Sequence, residues 1–230
     1  SGIHPKRMLE ILDKSRSIKN AYISRISSLE NTYGIFTLYL VMKKRSLPYQ
    51  NRNLYLHGDN EVWYDKQQYP GRTTNCMISM QASSEDSQYA SVISILTPMY
   101  MDELSAWKDT TPEHRGESYR SFKQEKTKQL LRFIRSHGID FSDNIEEIHT
   151  TTPLSYRDYT GTVNGSAYGI IKDYKCPQIG FVSTRSRLGN LFLTGQNLNV
   201  HGALGVTLTS MLTCAELVGQ EYLAKKVGNA

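Results

Sequence analysis

The stretch from Gly189 to Glu221 has residue types in an order that could meet an anion. No Asp, Glu, Lys or Arg occurs between Gly189 and Ala215. Leu191, Phe192 and Leu193 make an apolar run long enough for a buried strand. Gly195 to Gly202 reads as a loop of Gly, Asn and Gln with one histidine, His201. From Ala203 the apolar positions Leu204, Leu208, Met211, Leu212 and Ala215 recur at helical spacing, and so uncharged a helix is expected to pack on all sides. A strand, a glycine loop and a helix N-terminus in that order bring backbone N–H groups and the positive end of a helix dipole to one place, which suits an anion. The same pattern also describes an ordinary strand-turn-helix core unit, because glycine turns are common at such junctions.

Other chemistry-bearing patterns are sparse. Neither G-x-G-x-x-G nor G-x-x-x-x-G-K-[ST] occurs, so a self-contained nucleotide site is not visible. No G-x-S-x-G elbow occurs either, and the cysteines have no evident histidine partner. Glu146-Glu147 and Asp102-Glu103 are adjacent pairs. Read as strand neighbours, they point to opposite faces and cannot act together. Of the six histidines only His201 lies in a setting that suggests chemistry, and no catalytic residue is assigned. Cys76, Cys176 and Cys214 are odd in number and far apart, which argues against a disulfide framework and fits a reducing compartment. No Cys/His cluster has zinc spacing, so no metal is expected.

The elements that must position the loop are legible from periodicity. Pro5 suits the first turn of a helix, with Met8, Leu9 and Leu12 on one face and Lys6, Arg7, Lys14 and Arg16 around it; the pattern extends toward Ser28. Tyr33 to Met42 is nearly continuous in apolar residues, as in a strand covered on both faces. Leu54–Leu56 is a second, short strand before a turn at His57-Gly58-Asp59-Asn60. Cys76–Ala82 and Ala90–Thr97 read as a hairpin joined by the polar link 83–88. A long helix is expected next, capped by Thr110 or Thr111 with Pro112 in its first turn and Glu113 completing a capping box, and ended by Gly138. Its inward residues are Tyr119, Phe122, Leu130, Phe133 and Ile134. Ile145–Thr151 reads as a strand and Thr152-Pro153 as the start of a short helix through Tyr159. Gly161, Gly165 and Gly169 space out a loop, and Cys176-Pro177 marks a turn.

The chain has 230 residues, enough for a sizeable core, and 39% of them are hydrophobic. Residues 1–52 carry ten Lys and Arg against three Asp and Glu, whereas the rest carries 17 against 19. The basic excess of the first segment could favour an anionic membrane surface or nucleic acid, although a solvated basic face is the simpler account. No nucleic-acid motif accompanies it. No leader-like apolar segment opens the chain, and no apolar run is long enough to span a bilayer.

Three stretches carry a resemblance. Ile3-His4-Pro5 before a helix is similar to the segment after a returning strand of a flavin-binding fold. The stretch from Thr152 to Tyr159, Thr-Pro-Leu-Ser-Tyr-Arg-Asp-Tyr, together with Gly165-Ser166-Ala167-Tyr168-Gly169, resembles a segment of the phytoene desaturase, carotenoid isomerase and retinol saturase family. Asn190 to Gln196 followed by His201 to Val206 resembles the C-terminal flavin-contact motif of that family. The resemblance implies an FAD-dependent oxidoreductase or isomerase acting on a long polyene, of which this chain is the C-terminal part. The family's glycine-rich dinucleotide motif is absent here. By resemblance, Gly195 and Gln196 would approach the ribityl-pyrophosphate side of the flavin, and residues 202–206 would set a helix N-terminus against the isoalloxazine.

The expected fold class is α+β. An antiparallel or mixed sheet with a long helix would form a substrate domain over residues 29–160. Residues 1–28 and 161–230 would belong to an incomplete, Rossmann-like FAD-binding domain, and the sheet would wall an apolar channel for the polyene. The expected partners are that apolar polyene, an anionic membrane touched by the basic N-terminal segment, and a second copy through the uncovered cofactor-domain face, in the cytoplasm or peripherally at a membrane. The alternative is a non-enzymatic lipid- or partner-binding module.

Overall fold

The computed structural model describes residues 1–12, 18–58 and 71–228. Lys14, Arg16, Asp59 and Asn60 lie outside the described residues. The fold is α+β with two compact units: residues 34–158 form one, and residues 1–33 with 159–230 form the other.

The first unit is built on β1 (Gly34–Met42), flanked by β4 (Ala90–Met99) and β5 (Ile145–Thr151). Beyond β4 come β3 (Asn75–Ala82) and β2 (Leu54–His57), so the five strands run in the order β2-β3-β4-β1-β5. Every pairing is antiparallel. Register decides which face is dry: Leu38 lies opposite Ile95 and Leu40 opposite Ile93, while Ile78 lies opposite Ile95 on the other side. Phe36, Leu38, Leu40 and Met42 therefore share one face, and all four are buried. Helix α3 (Gly116–Ser136) contributes Tyr119, Leu130 and Ile134 to the same core. The alternate face, with Thr37, Tyr39 and Val41 of β1, Leu96 of β4 and Thr151 of β5, is half-covered, and Thr37 alone of these is fully buried.

The start of α3 differs from the sequence expectation. It begins at Gly116, past the Thr-Pro-Glu box, because Glu113 adopts a left-handed φ of 67° that no helix accepts. Met101–Trp107 instead forms a separate 3₁₀ helix. That helix holds Asp102 and Glu103, which the sequence reading had placed as strand neighbours. The Glu103 carboxylate accepts from Lys126 Nζ at 2.7 Å, a partly buried ion pair. The end of α3 is as expected: Gly138 N–H donates to Arg135 O and Ile139 N–H to Ile134 O, the paired bonds of a Schellman cap. Helix α4 (Pro153–Thr160) follows β5. Thr152 Oγ1 bonds the Tyr119 hydroxyl at 2.8 Å, and Asp158 takes the guanidinium groups of both Arg115 and Arg157, so α4 is anchored on α3 and the 108–110 turn.

In the second unit the N-terminal helical segment is two helices, α1 (Pro5–Ile11) and α2 (Asn20–Ser28). Met8 and Ile26 bury their side chains with Ile170, Val182, Leu193 and Leu198 in a core of their own. Loops dominate the middle of this unit, which contains only the short α5 (Pro177–Gly180) before α6 (Gly202–Val218) and α7 (Gln220–Gly228). The apolar run Leu191-Phe192-Leu193 does not form a strand; it makes a single bridge between Phe192 and Arg185. No helix of the described residues is long and apolar enough to cross a membrane.

Leu40, with 0% exposure at the centre of the sheet, is the sharpest test of this register. Leu40→Ala is expected to destabilise by about 2–5 kcal/mol, and Tyr55→Ala on the exposed side of β2 by no more than about 0.5 kcal/mol. Urea unfolding of both variants checks this, and equal costs would contradict the assignment of the buried face.

Candidate cofactor-binding site

Residues 30–33 and 167–171 run antiparallel as an irregular ladder. Thr32 N–H donates to Gly169 O at 2.8 Å, Ala167 N–H to Tyr33 O at 2.9 Å and Ile171 N–H to Glu30 O at 2.9 Å. Asn31 also accepts, through Oδ1, from His4 Nε2 at 2.7 Å, which fixes the entry to α1. This ladder presents Gly169 to the glycine loop. A Cβ on Gly169 would stand 2.2 Å from Asn197 Oδ1 and 3.0 Å from Asn197 Cα, and φ there is +70°. Both conditions require glycine. The two motif stretches, about thirty residues apart in sequence, thus touch at backbone distance.

Further bonds tie the same two loops. Gln196 Nε2 donates to Ala167 O at 3.4 Å, and Lys172 Nζ donates to Tyr168 O at 3.0 Å and to Gln196 O at 3.2 Å. The ring of Tyr168 packs at 4.7 Å on that of His201, with Tyr33 edge-on at 6.3 Å. Asn199 makes a two-point bond with Val182, donating to its carbonyl at 3.0 Å and accepting its N–H at 2.9 Å. Ser1 completes the base of the loop: its backbone nitrogen donates to Phe192 O at 2.6 Å and its carbonyl accepts Thr194 N–H at 2.9 Å.

Helix α6 rises directly from this loop. His201 is its N-cap, makes no side-chain cap bond, and is followed by no acidic residue in the first turn. Neither its N-cap nor its first turn therefore supplies a side chain that satisfies the leading N–H groups or compensates the dipole. Gly205 is needed for space: a Cβ would lie 2.7 Å from the carbonyl carbon of Val200 and 2.9 Å from its Cβ. The helix is not packed on all sides as its sequence suggests. Only Gly205 and Thr209 are buried, and Leu204 is 74% exposed.

Of the seven sequence-predicted residues, Gln196 lies against the 167–172 loop, Gly195 stands beside Gly2, and Gly202, Ala203, Leu204, Gly205 and Val206 form the first turn of α6. Gly202, Ala203 and Leu204 are exposed. Sequence reasoning missed Lys172, Asn197 and Asn199. The Asn-Leu-Asn spacing was the available signal for the two asparagines, since such residues commonly bond nearby backbone in loops. Nothing in the sequence marked Lys172.

The histidine and cysteine chemistry is subdued. His4 is buried, which pulls its pKa below the ordinary value, with Asn31 opposing and Arg7, Lys6 and Lys172 adding to the effect. Burial pushes the Cys76 thiol up to about 12, so it is no nucleophile. Among the described residues no group of three or more His, Cys, Asp or Glu is placed to hold a metal. A cleft of about 290 Å³ lies between the 181–184 segment and the C-terminal half of α6; it shares only Asn199 with the glycine loop.

No family model matches the chain, and no curated protein matches it.

The loop contact is expected to be intolerant. Gly169→Ala should cost about 2–4 kcal/mol through combined backbone strain and overpacking. Gly161→Ala, also at positive φ but in open space, should cost about 1–2 kcal/mol from strain alone. Paired unfolding curves separate the two. His4 gives a pH test. Its folded pKa is depressed, so its contribution is present above its unfolded value near 6.5 and is lost as pH falls below that value toward the folded pKa. His4→Gln should flatten that acid limb of stability below pH 6.5, and an unchanged slope would refute the assignment.

Proposed function

We propose that this chain is the C-terminal part of a flavin-dependent oxidoreductase or isomerase acting on a carotenoid- or retinoid-like polyene, with FAD as its cofactor. One observation carries the reading: the two stretches that resemble the family's motifs meet, through Gly169 on Asn197 and Gln196 on Ala167. The first turn of α6 suits an electron-rich acceptor, since it has no capping side chain and no acidic residue. Gly195 and Gln196 would face the ribityl-pyrophosphate side of FAD, and residues 202–206 its isoalloxazine. The flavin, when bound, supplies the electron chemistry. This chain's residues position it and exclude water.

The half-covered face of the sheet is the proposed wall for the polyene. It carries Leu96, Val92 and Val41 beside the more polar Tyr39, Ser94 and His149, and Tyr156 OH meets Thr37 Oγ1 there at 3.2 Å. The exposed apolar side chains of α6 support the idea that the cofactor domain is shared with sequence outside this chain. Alone, the chain would hold FAD weakly and be inactive, and its uncovered helix would favour self-association.

The same exposed leucines, with the basic residues of the first segment, favour a second reading: a non-enzymatic module that docks on lipid or on a partner, cytoplasmic and peripheral at an anionic membrane. Salt-sensitive co-sedimentation with anionic vesicles, without any flavin requirement, would support it.

The flavin reading is tested by absorbance titration with FAD. The chain alone is expected to show no stoichiometric flavin spectrum at micromolar concentration. A parent extended to include a G-x-G-x-x-G unit is expected to purify yellow and to lose at least about 90% of its flavin on Gly205→Trp, because even a Cβ there collides with Val200. Stoichiometric binding by this chain alone removes the fragment reading. A colourless parent, indifferent to Gly205→Trp, removes the flavin.

A further inference from the structure

Lys172 stands where the two loops join. Its ammonium donates to the carbonyl of Tyr168 on one loop and to that of Gln196 on the other, at 3.0 and 3.2 Å. It follows Ile170, which is 1% exposed and belongs to the second core, so the start of its segment is held by packing. It makes no ion pair with any carboxylate among the described residues, an unusual state for a half-buried ammonium. We propose that Lys172 is the positioning residue of the glycine loop: its Nζ, donating to the Tyr168 and Gln196 carbonyls, holds them together and so fixes where the Gln196 backbone stands.

The groups around it are few. His4, at the N-cap of α1, feels the Lys172 charge. Tyr168 and Gln196 face it with carbonyls. Glu30 pairs its backbone with Ile171, and Asp173 accepts the Lys175 N–H; neither carboxylate bonds Lys172. With no carboxylate partner, desolvation outweighs the two carbonyl bonds and brings the Lys172 pKa down to about 8. An ammonium has three donors and a neutral amine two, so deprotonation alters both carbonyl bonds at once. The sign of the linkage follows. The closed clamp holds its proton less tightly than free lysine does, so opening takes up a proton between about 8 and the ordinary lysine value of about 10.4. The clamp therefore opens less readily as pH rises through that window.

The clamp needs no cofactor; its consequence for ligand binding rests on the flavin reading. The test is carbon-detected NMR on the whole chain, labelled at the Tyr and Gln carbonyls and at lysine Cε, titrated from pH 6 to 10.5. The carbonyl carbons of Tyr168 and Gln196 and the Cε of Lys172 are expected to titrate with one shared midpoint near 8. His4, whose titration lies below 6.5, stays out of that window. Lys172→Met should abolish both carbonyl responses, and Lys172→Arg should leave both carbonyls flat to pH 10. Lys172 titrating at the ordinary lysine value with silent carbonyls overturns the clamp, as do carbonyl responses that survive in Lys172→Met. Should the Met variant not fold, the wild-type and Lys172→Arg titrations decide by themselves. Flavin binding by the extended parent is scored separately. Co-titrating carbonyls with no flavin uphold the clamp and remove the flavin reading, whereas flavin with silent carbonyls does the reverse.

Discussion

Gly169 has no Cβ, and Asn197 fills the space one would take. That single approach sets how closely the 165–169 and 195–201 stretches can lie, and much of the second unit follows from it. The 30–33 ladder must reach Gly169 from one side, which brings Asn31 to His4 and so orients α1. From the other side the loop must return to α6 within a few residues, and Gly205 permits the tight exit past Val200. Asn197 Oδ1 and Ser166 Oγ are buried at this junction with no hydrogen-bond partner among the described residues. Each such group costs on the order of 1–3 kcal/mol. A junction that sustains two of them is held by its surroundings: the Asn199–Val182 pair, the Ser1 bonds and the core of Met8, Ile26 and Leu198.

The first unit obeys simpler rules and was correspondingly legible. β1 reads as a strand because Ile35, Phe36, Leu38, Leu40 and Met42 leave no helical stripe, and the hairpin of β3 and β4 announces itself by alternation and a polar link. The Gly138 end of α3 is equally plain, since the glycine and the buried Ile139 contact are both written locally. The N-terminus of α3 was not legible. Thr-Pro-Glu has the composition of a capping box, but Glu113 takes a left-handed conformation and the helix waits for Gly116. A cap motif states what a helix start can look like, while tertiary anchoring by Arg115 on Asp158 decides where this one falls.

In the second unit the glycine loop and helix α6 were legible as elements, whereas their surroundings were not. Leu191-Phe192-Leu193 is apolar enough for a strand, but a strand needs a neighbouring edge, and among the described residues its pairing stops at one bridge to Arg185 and the bonds to Ser1. Leu193 is nonetheless buried at 1% exposure, so the run satisfies its hydrophobicity without a ladder. Lys172 was invisible for the opposite reason. Its role comes from two backbone carbonyls, and carbonyls have no sequence signature.

Helix α6 states the remaining asymmetry between the units. Apolar periodicity reports that a helix gains by leaving water; it does not report what will cover it. In the sheet unit α3 satisfies this demand with Tyr119, Leu130 and Ile134 in the core and charged residues such as Arg120 and Arg132 outside. In α6, Leu204, Leu208, Leu212 and Leu217 remain exposed although no charge interrupts the helix before Glu216. Burying one such leucine is worth roughly 1.5–3 kcal/mol, so four of them represent a driving force comparable with the whole stability of an ordinary domain. A sequence that keeps charge off this helix while leaving its leucines uncovered makes α6 the element of the second unit with most to gain from leaving water.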